Sequence, residues 1–235
     1  MFKRIALIAL AVAAPLAQAA TFTTLTLPTL NLDIRTLSDG TRYNPLFPGT
    51  STFNGVPFQF AVDGSGNTAF QNDGLNTPSS GVLDIPVGVF GVTQAYTIIN
   101  SRFGRVGALP NGSVSFIGSV DTVTVNLIQG SNIRDHFNGM FNNTIDGVNA
   151  VGAFNPGAGA NEARLDEQIF NLPVVFAGQT LTTIRFTGLD LGADGLPFIA
   201  AATVGIAAAV PEPETYVLML AGLGVIGWAQ RRRRA

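Results

Sequence analysis

Between Asp121 and Ile128 the chain alternates: Val123, Val125 and Leu127 fall on one side, Thr122, Thr124 and Asn126 on the other. A period of two predicts a half-buried β-strand, because successive side chains leave opposite faces of the pleat. Thr180–Thr187 repeats it, with Ile184 and Phe186 opposite Thr183 and Arg185. Further strands are expected at Asn31–Leu37, Val56–Val62, Gln94–Ile99, Ser113–Ile117, Leu172–Phe176 and Phe198–Ile206. The turn dipeptides Asp39-Gly40, Asp63-Gly64, Asp73-Gly74, Asn111-Gly112, Asp146-Gly147 and Asp194-Gly195 punctuate the chain. Asn161–Gln168 is expected to form a helical turn or two, and Val148–Gly159, rich in Gly and small residues, a flexible loop. Strands at this spacing without intervening helices predict an all-β fold, an antiparallel β-sandwich of jelly-roll type.

The two ends break the pattern. Lys3-Arg4, an apolar run Ile5–Leu16 and Ala17-Gln18-Ala19 predict a secretory signal peptide over residues 1–19. At the other end, Val210-Pro-Glu-Pro-Glu-Thr leads into an uncharged stretch from Tyr216 to Gln230, followed by Arg231, Arg232, Arg233 and Arg234. Pro211 and Pro213 fix φ and disfavour helix at the residue before each, so this short motif is expected to be extended, with helix beyond Pro213. The uncharged stretch makes about 22 Å of helix against a hydrocarbon core of about 30 Å. Tyr216 and Trp228 near its ends, and arginine stems able to snorkel, support a transmembrane helix over about 215–230. The arginines are the membrane stop: carrying four across the bilayer centre costs on the order of 10 kcal/mol, so they stay cytoplasmic. Three parts result: a signal peptide helix at 1–19, a β-sandwich ectodomain at 20–209 and an anchor segment at 210–235.

Pro211-Glu212-Pro213, a short apolar helix and an arginine cluster, in that order, resemble the PEP-CTERM sorting signal of Gram-negative bacteria. The resemblance implies a partner, an exosortase, which is a membrane-embedded cysteine transpeptidase, and cleavage at Pro211-Glu212-Pro213. It also implies an inner-membrane-anchored precursor with a periplasmic ectodomain, delivered to the cell surface or beyond, and an association with exopolysaccharide, biofilm or floc.

Charge narrows the partners further. Seven arginines against thirteen acids leave residues 20–209 at −6, which disfavours nucleic acid and anionic lipid headgroups. Cysteine is absent and His136 is the only histidine, so disulfides and the usual zinc sites are excluded. A Ser-His-Asp triad would have to use His136. Its neighbour Asp135 would face the other way on a strand, and Gly64-Ser65-Gly66 lacks the spacing of a nucleophile elbow. Glu162, Asp166 and Glu167, beside Arg164, read as a charged surface turn before they read as a glycosidase pair. No enzymatic activity and no cofactor are expected. A structural calcium is the one metal the composition leaves room for, with Asp63, Asn67, Asp190 and Asp194 as its oxygen donors.

A second resemblance spans about Asn31 to Val204. Asn54-Gly55-Val56-Pro57-Phe58, Tyr96-Thr97-Ile98-Ile99-Asn100, Asn132-Ile133-Arg134-Asp135 and Arg164-Leu165-Asp166 are similar to exported bacterial proteins whose domain looks like a galactose-binding-type jelly roll. The densest polar run lies among them: Asn132, Arg134, Asp135, His136 and Asn138. Two readings stand for it, a lectin-like saccharide site built on this loop or a buried Arg–Asp pair that pins it.

Overall fold

The computed structural model describes residues 20–72, 81–103, 110–137, 144–157, 162–189, 195–206 and 213–232. The signal peptide region, Asn138, Asp190, Asp194, Pro211, Glu212, Arg233 and Arg234 lie outside them, as does the Asp73-Gly74 dipeptide. Among the described residues twelve strands succeed one another: β1 (Thr21–Leu25), β2 (Gly49–Phe53), β3 (Val56–Phe60), β4 (Phe70–Gln71), β5 (Gly81–Phe90), β6 (Gln94–Arg102), β7 (Pro110–Gly118), β8 (Thr122–Ile128), β9 (Ala150–Phe154), β10 (Leu165–Asn171), β11 (Thr180–Gly188) and β12 (Leu196–Ile206). Residues 21–207 form one compact unit, and the helix α1 (Pro213–Arg232) belongs to another.

Every strand pairing is antiparallel. One sheet runs β1-β12-β6-β10-β9, with β4 also paired to β12; a second runs β5-β11-β7-β8; β2 and β3 make a hairpin. The sheets stack as a β-sandwich. Leu83, Ile85, Val114, Phe116, Ile184 and Phe186 of the four-stranded sheet share one hydrophobic core with Ile99, Phe170, Ile199, Ala202 and Val204 of the larger one. A second core covers the opposite face of the larger sheet, where Phe58 and Phe60 of the hairpin join Tyr43, Leu46 and Phe47 against Ile98, Leu165 and Phe198. That sheet is therefore sandwiched on both sides, and its middle strands β6 and β12 are buried almost end to end. A strand covered on both faces loses its alternation, and β12 is accordingly an apolar run broken only by Thr203. A bulge after Ile199 turns Ala200 and Ala201 toward the hairpin together and then returns Ala202 and Val204 to the main core.

Five of the strands expected from sequence are found with small shifts in their ends: β3, β6, β7, β11 and β12; β8 keeps its alternation, with Leu127 buried. Five other expectations are corrected. Asn31–Leu37 holds a 3₁₀ turn at Ile34–Thr36, because the Asp33 carboxylate accepts the Arg35 N–H and its guanidinium and so bends the chain. Leu172–Phe176 gives way to a 3₁₀ turn at Val174–Gly178 behind Pro173. The loop expected at Val148–Gly159 contains β9, and the helical turn expected at Asn161–Gln168 is the start of β10, hydrogen-bonded between β6 and β9. Asn111-Gly112 is not a turn either; it lies inside β7, where a Cβ on Gly112 would meet the Thr187 carbonyl at 2.7 Å.

The transmembrane helix is also corrected: no helix among the described residues is long and apolar enough to cross a membrane. Helix α1 spans 20 residues, but Pro213, Glu214 and Thr215 occupy its start and Arg231 and Arg232 its last turn. Pro213 is the first helical residue, a position where its missing N–H costs nothing. The two arginines offset the negative end of the helix dipole. Leu220, Leu223 and Ile226 along it are exposed.

The sandwich has two unlike ends. At one, Thr21 pairs with Ile206, Gln94 with Asn171 and with Gly205, and Phe90 with Thr180, so β12 leaves the body where β1 enters it. Connections there are short: β5 turns into β6 through residues 91–93, and β7 into β8 through residues 119–121. The other end collects the longer connections after β6 and β8 and before β10 and β12.

Candidate functional site

The polar run singled out in the sequence lies at the long-loop end, and it is not a surface loop. Ser101 bridges to Asp135, and Phe137 bridges to Ala163. Residues 134–137 thus thread between the far end of β6 and the start of β10, with Ser101 N–H donating to the Arg134 carbonyl and His136 N–H to the Ser101 carbonyl. Arg134 donates from Nε and Nη2 to the two oxygens of Asp166, at 2.8 and 2.6 Å. Asn100 completes that carboxylate's shell at 2.7 Å and accepts the Asp166 N–H through Oδ1. The arginine is pinned, as one of the two readings has it, but by Asp166 and not by its neighbour Asp135.

Asp135 and His136 are each 4% exposed. Asp135 accepts the Phe137 N–H at 2.9 Å, while Arg164, itself buried, donates to the Asp135 carbonyl at 3.2 Å. Burial pushes the Asp135 carboxyl up to about 6, against the pull of the Phe137 N–H and the Arg164 charge. Burial, reinforced by the charges of Arg102 and Arg164, holds the His136 imidazole down at about 4. At neutral pH the imidazole is therefore uncharged, with Nδ1 lying 3.1 Å from the Tyr43 hydroxyl, which donates to the Arg164 carbonyl at 2.9 Å. Burial also lowers the Arg164 guanidinium to about 10.

These contacts explain why Glu162, Arg164, Asp166 and Glu167 do not make a charged surface turn. Asp166 and Glu167 are buried on β10, and Arg164 is buried just ahead of it. Only Glu162 is at the rim, bonded to Arg42, which also holds Asp39. Glu167 accepts from Asn54 Nδ2 at 2.8 Å, and its other oxygen is buried without a partner among the described residues. Tyr43, Asn100 and Gln168, which complete this layer, carry no local signal in the sequence. Gln168 bonds both the N–H and the carbonyl of Ile99, at 2.8 and 2.7 Å.

Asn132 stands apart from the layer. Its amide clamps the β8 turn, accepting the Ile128 N–H at 2.7 Å and donating to the Asn126 carbonyl at 2.8 Å. It also lines a cleft of about 270 Å³ between the sheets, with Val123, Val125, Ile169, Leu172 and Asn149. Of the oxygen donors considered for calcium, the Asp63 carboxylate accepts the Ser65 and Asn67 N–H groups and the Asn67 amide, at 2.7–3.0 Å. This is an Asx turn complete in itself. No group of three His, Asp or Glu side chains suited to a metal occurs among the described residues.

The layer holds a paired carboxylate, an uncharged imidazole and amides whose bonds turn inward. The other candidate is the tail, where Pro213 opens a helix closed by Arg231 and Arg232, preceded by Pro211-Glu212 in sequence. No curated protein and no solved structure matches the chain. The PEP-CTERM protein-sorting motif matches residues 209–234, which supports a PEP-CTERM protein: a secreted, membrane-associated precursor with an exosortase as its processing partner.

Proposed function

We propose that the chain is the precursor of a non-enzymatic protein of the cell surface or extracellular matrix, associated with exopolysaccharide after exosortase cleaves at Pro211-Glu212-Pro213. The match of the sorting motif to residues 209–234 carries this reading. The inward-turned polar layer supports a body that serves as a stable β module, of the galactose-binding-like jelly-roll kind. Replacing Pro211, Glu212 and Pro213 with alanine and following the chain by cell fractionation tests it. The variant should keep its C-terminal segment and accumulate with the inner membrane. Unchanged mature size and location would sink the proposal.

The cleft beside Asn132 favours a second reading, a lectin-like module. Amides over aliphatic side chains offer what the hydroxyls and C–H face of a sugar require. A glycan array with the parent chain and Asn149→Ala decides it: no sugar-dependent signal, or one the variant leaves intact, removes this site.

A further inference from the structure

We propose that the end of the sandwich from which the chain leaves for its tail is a bilayer-docking surface, resting on zwitterionic lipid while the precursor is held at the membrane. This rests on the membrane-associated precursor that the sorting motif implies. Of the seven large hydrophobic side chains exposed on the described body, four lie at this one end: Val174, 91% exposed, Val120, 83%, Phe90, 62%, and Val175, 39%. Phe90 is the last residue of β5, Val120 tips the β7–β8 turn, and Val174 and Val175 open the 3₁₀ turn ahead of β11.

They converge because one residue ties their segments together. Gln179 is buried; its carbonyl accepts the Gly91 N–H at 3.0 Å and its Oε1 the Val120 N–H at 2.8 Å. Ser119 N–H donates to the neighbouring Thr180 carbonyl at 2.9 Å. The apolar tips thus stand on a fixed platform, where ordering them costs little entropy on contact.

The exit of the chain says what covers them. β12 ends here at Ile206, where Thr93 N–H donates to the Gly205 carbonyl, and β1 begins opposite it at Thr21. Six residues separate Ile206 from the tail helix at Pro213. At no more than about 3.6 Å each, they reach about 20 Å. A tail held at a membrane therefore keeps this end, and not the long-loop end, at high effective concentration beside the lipid. The ionisable side chain of the turn is Asp121, so the contact is apolar burial in the interface and not cations on phosphate.

The absence of cysteine allows a clean test on the full chain. Single variants Val120→Cys, Val174→Cys, Val82→Cys and Ala221→Cys are each labelled with an environment-sensitive fluorophore and added to phosphatidylcholine vesicles. Val82 is an exposed valine near the other end of β5, about 27 Å from Phe90. Labels at 120, 174 and 221 should brighten several-fold, shift to the blue and be quenched by nitroxide lipids, while the label at 82 stays aqueous. Aqueous labels at 120 and 174 beside a lipid-buried label at 221 overturn the docking surface and leave the membrane-associated tail standing. An aqueous label at 221 as well removes the tail association and the proposal with it. A change that follows protein concentration and ignores lipid assigns the patch to a second copy of the chain, and equal burial of the label at 82 denies the face its specificity; either result overturns the proposal.

Discussion

Arg134 and Asp166, 32 residues apart in sequence, meet as a two-pronged ion pair at 2.8 and 2.6 Å, and the carboxylate has no exposure at all. A second pair of the same geometry, Arg185 with Asp84 at 2.6 and 2.8 Å, links β11 to β5 with both side chains nearly half exposed. Water separates their energetics. Breaking a buried pair from one side strands a charge and costs about 3–5 kcal/mol, whereas an exposed pair is worth about 0–1 kcal/mol. Asp166→Ala should therefore lower the urea midpoint far more than Asp84→Ala. Equal losses in the two variants would show that the Asp166 site is wetter than its contacts imply.

Stability against pH should reveal a proton that changes residue on folding. The imidazole of His136 is held at about 4, below its ordinary 6.5, so its contribution is present above pH 6.5 and is lost as pH falls toward 4. The carboxyl of Asp135 is raised to about 6 from 3.8, so its contribution is present below pH 3.8 and is lost as pH rises toward 6. Near pH 5 the unfolded chain carries one proton on the imidazole and the folded chain one on the carboxyl, and the two slopes oppose each other. Asp135→Asn should uncover a rise in stability from pH 4 to 6.5, and His136→Gln a fall from pH 4 to 6. Each slope is bounded at about 1.4 kcal/mol per pH unit. Parallel pH profiles for the parent and both variants would contradict it.

Glu167 should be a residue whose charge the fold tolerates at a cost. It is 1% exposed, one oxygen takes the Asn54 amide and the other has no partner among the described residues, and burial raises its carboxyl above the ordinary range. A raised carboxyl loses stability as pH climbs through its folded value. Glu167→Gln removes that loss, so the variant should gain on the parent in denaturant unfolding as pH rises from acid through the carboxylate range. A constant difference across that range would place the charge in water.

Why these residues escaped the sequence while others did not follows from where their partners sit. β8 and β11 each face a core on one side and water on the other, and that asymmetry writes itself as alternation. The opening of β10, Leu165-Asp166-Glu167-Gln168, is buried throughout, and the partners its polar side chains do find, Asn100, Arg134, Asn54 and Ile99, lie between 32 and 113 positions away. Nothing local distinguishes it from a charged turn. β5 is interrupted by Pro86 and Gly88, residues an edge strand admits because one side of its backbone goes unpaired. The tail was the opposite case: its order of Pro-Glu-Pro, apolar run and arginines is a local feature, legible without the fold. Its order does not make it a span: the uncharged stretch gives about 22 Å of helix against about 30 Å of hydrocarbon, and the flanking rings and arginines do not lengthen it into a helix that crosses a membrane.

The last prediction concerns Gln179, which holds the β7–β8 turn to the start of β11. Its Oε1 accepts the N–H groups of Val120 and Asp121, at 2.8 and 3.1 Å, from a side chain only 3% exposed. The turn can close over this amide only because residue 118 is glycine, since an added Cβ there would overlap the Gln179 side chain. Gln179→Ala leaves both N–H groups without their acceptor and should cost about 1–3 kcal/mol. Gly118→Val should cost a similar amount by displacing the same amide. Both should free the turn before the rest of the sheet, so amide exchange at Val120 and Asp121 should speed about tenfold or more while Val114 and Phe116 on β7 keep their protection. The two substitutions share one mechanism, so the double variant should cost less than the sum of the singles. Full additivity would show that the glycine serves its own backbone and not the glutamine beneath it.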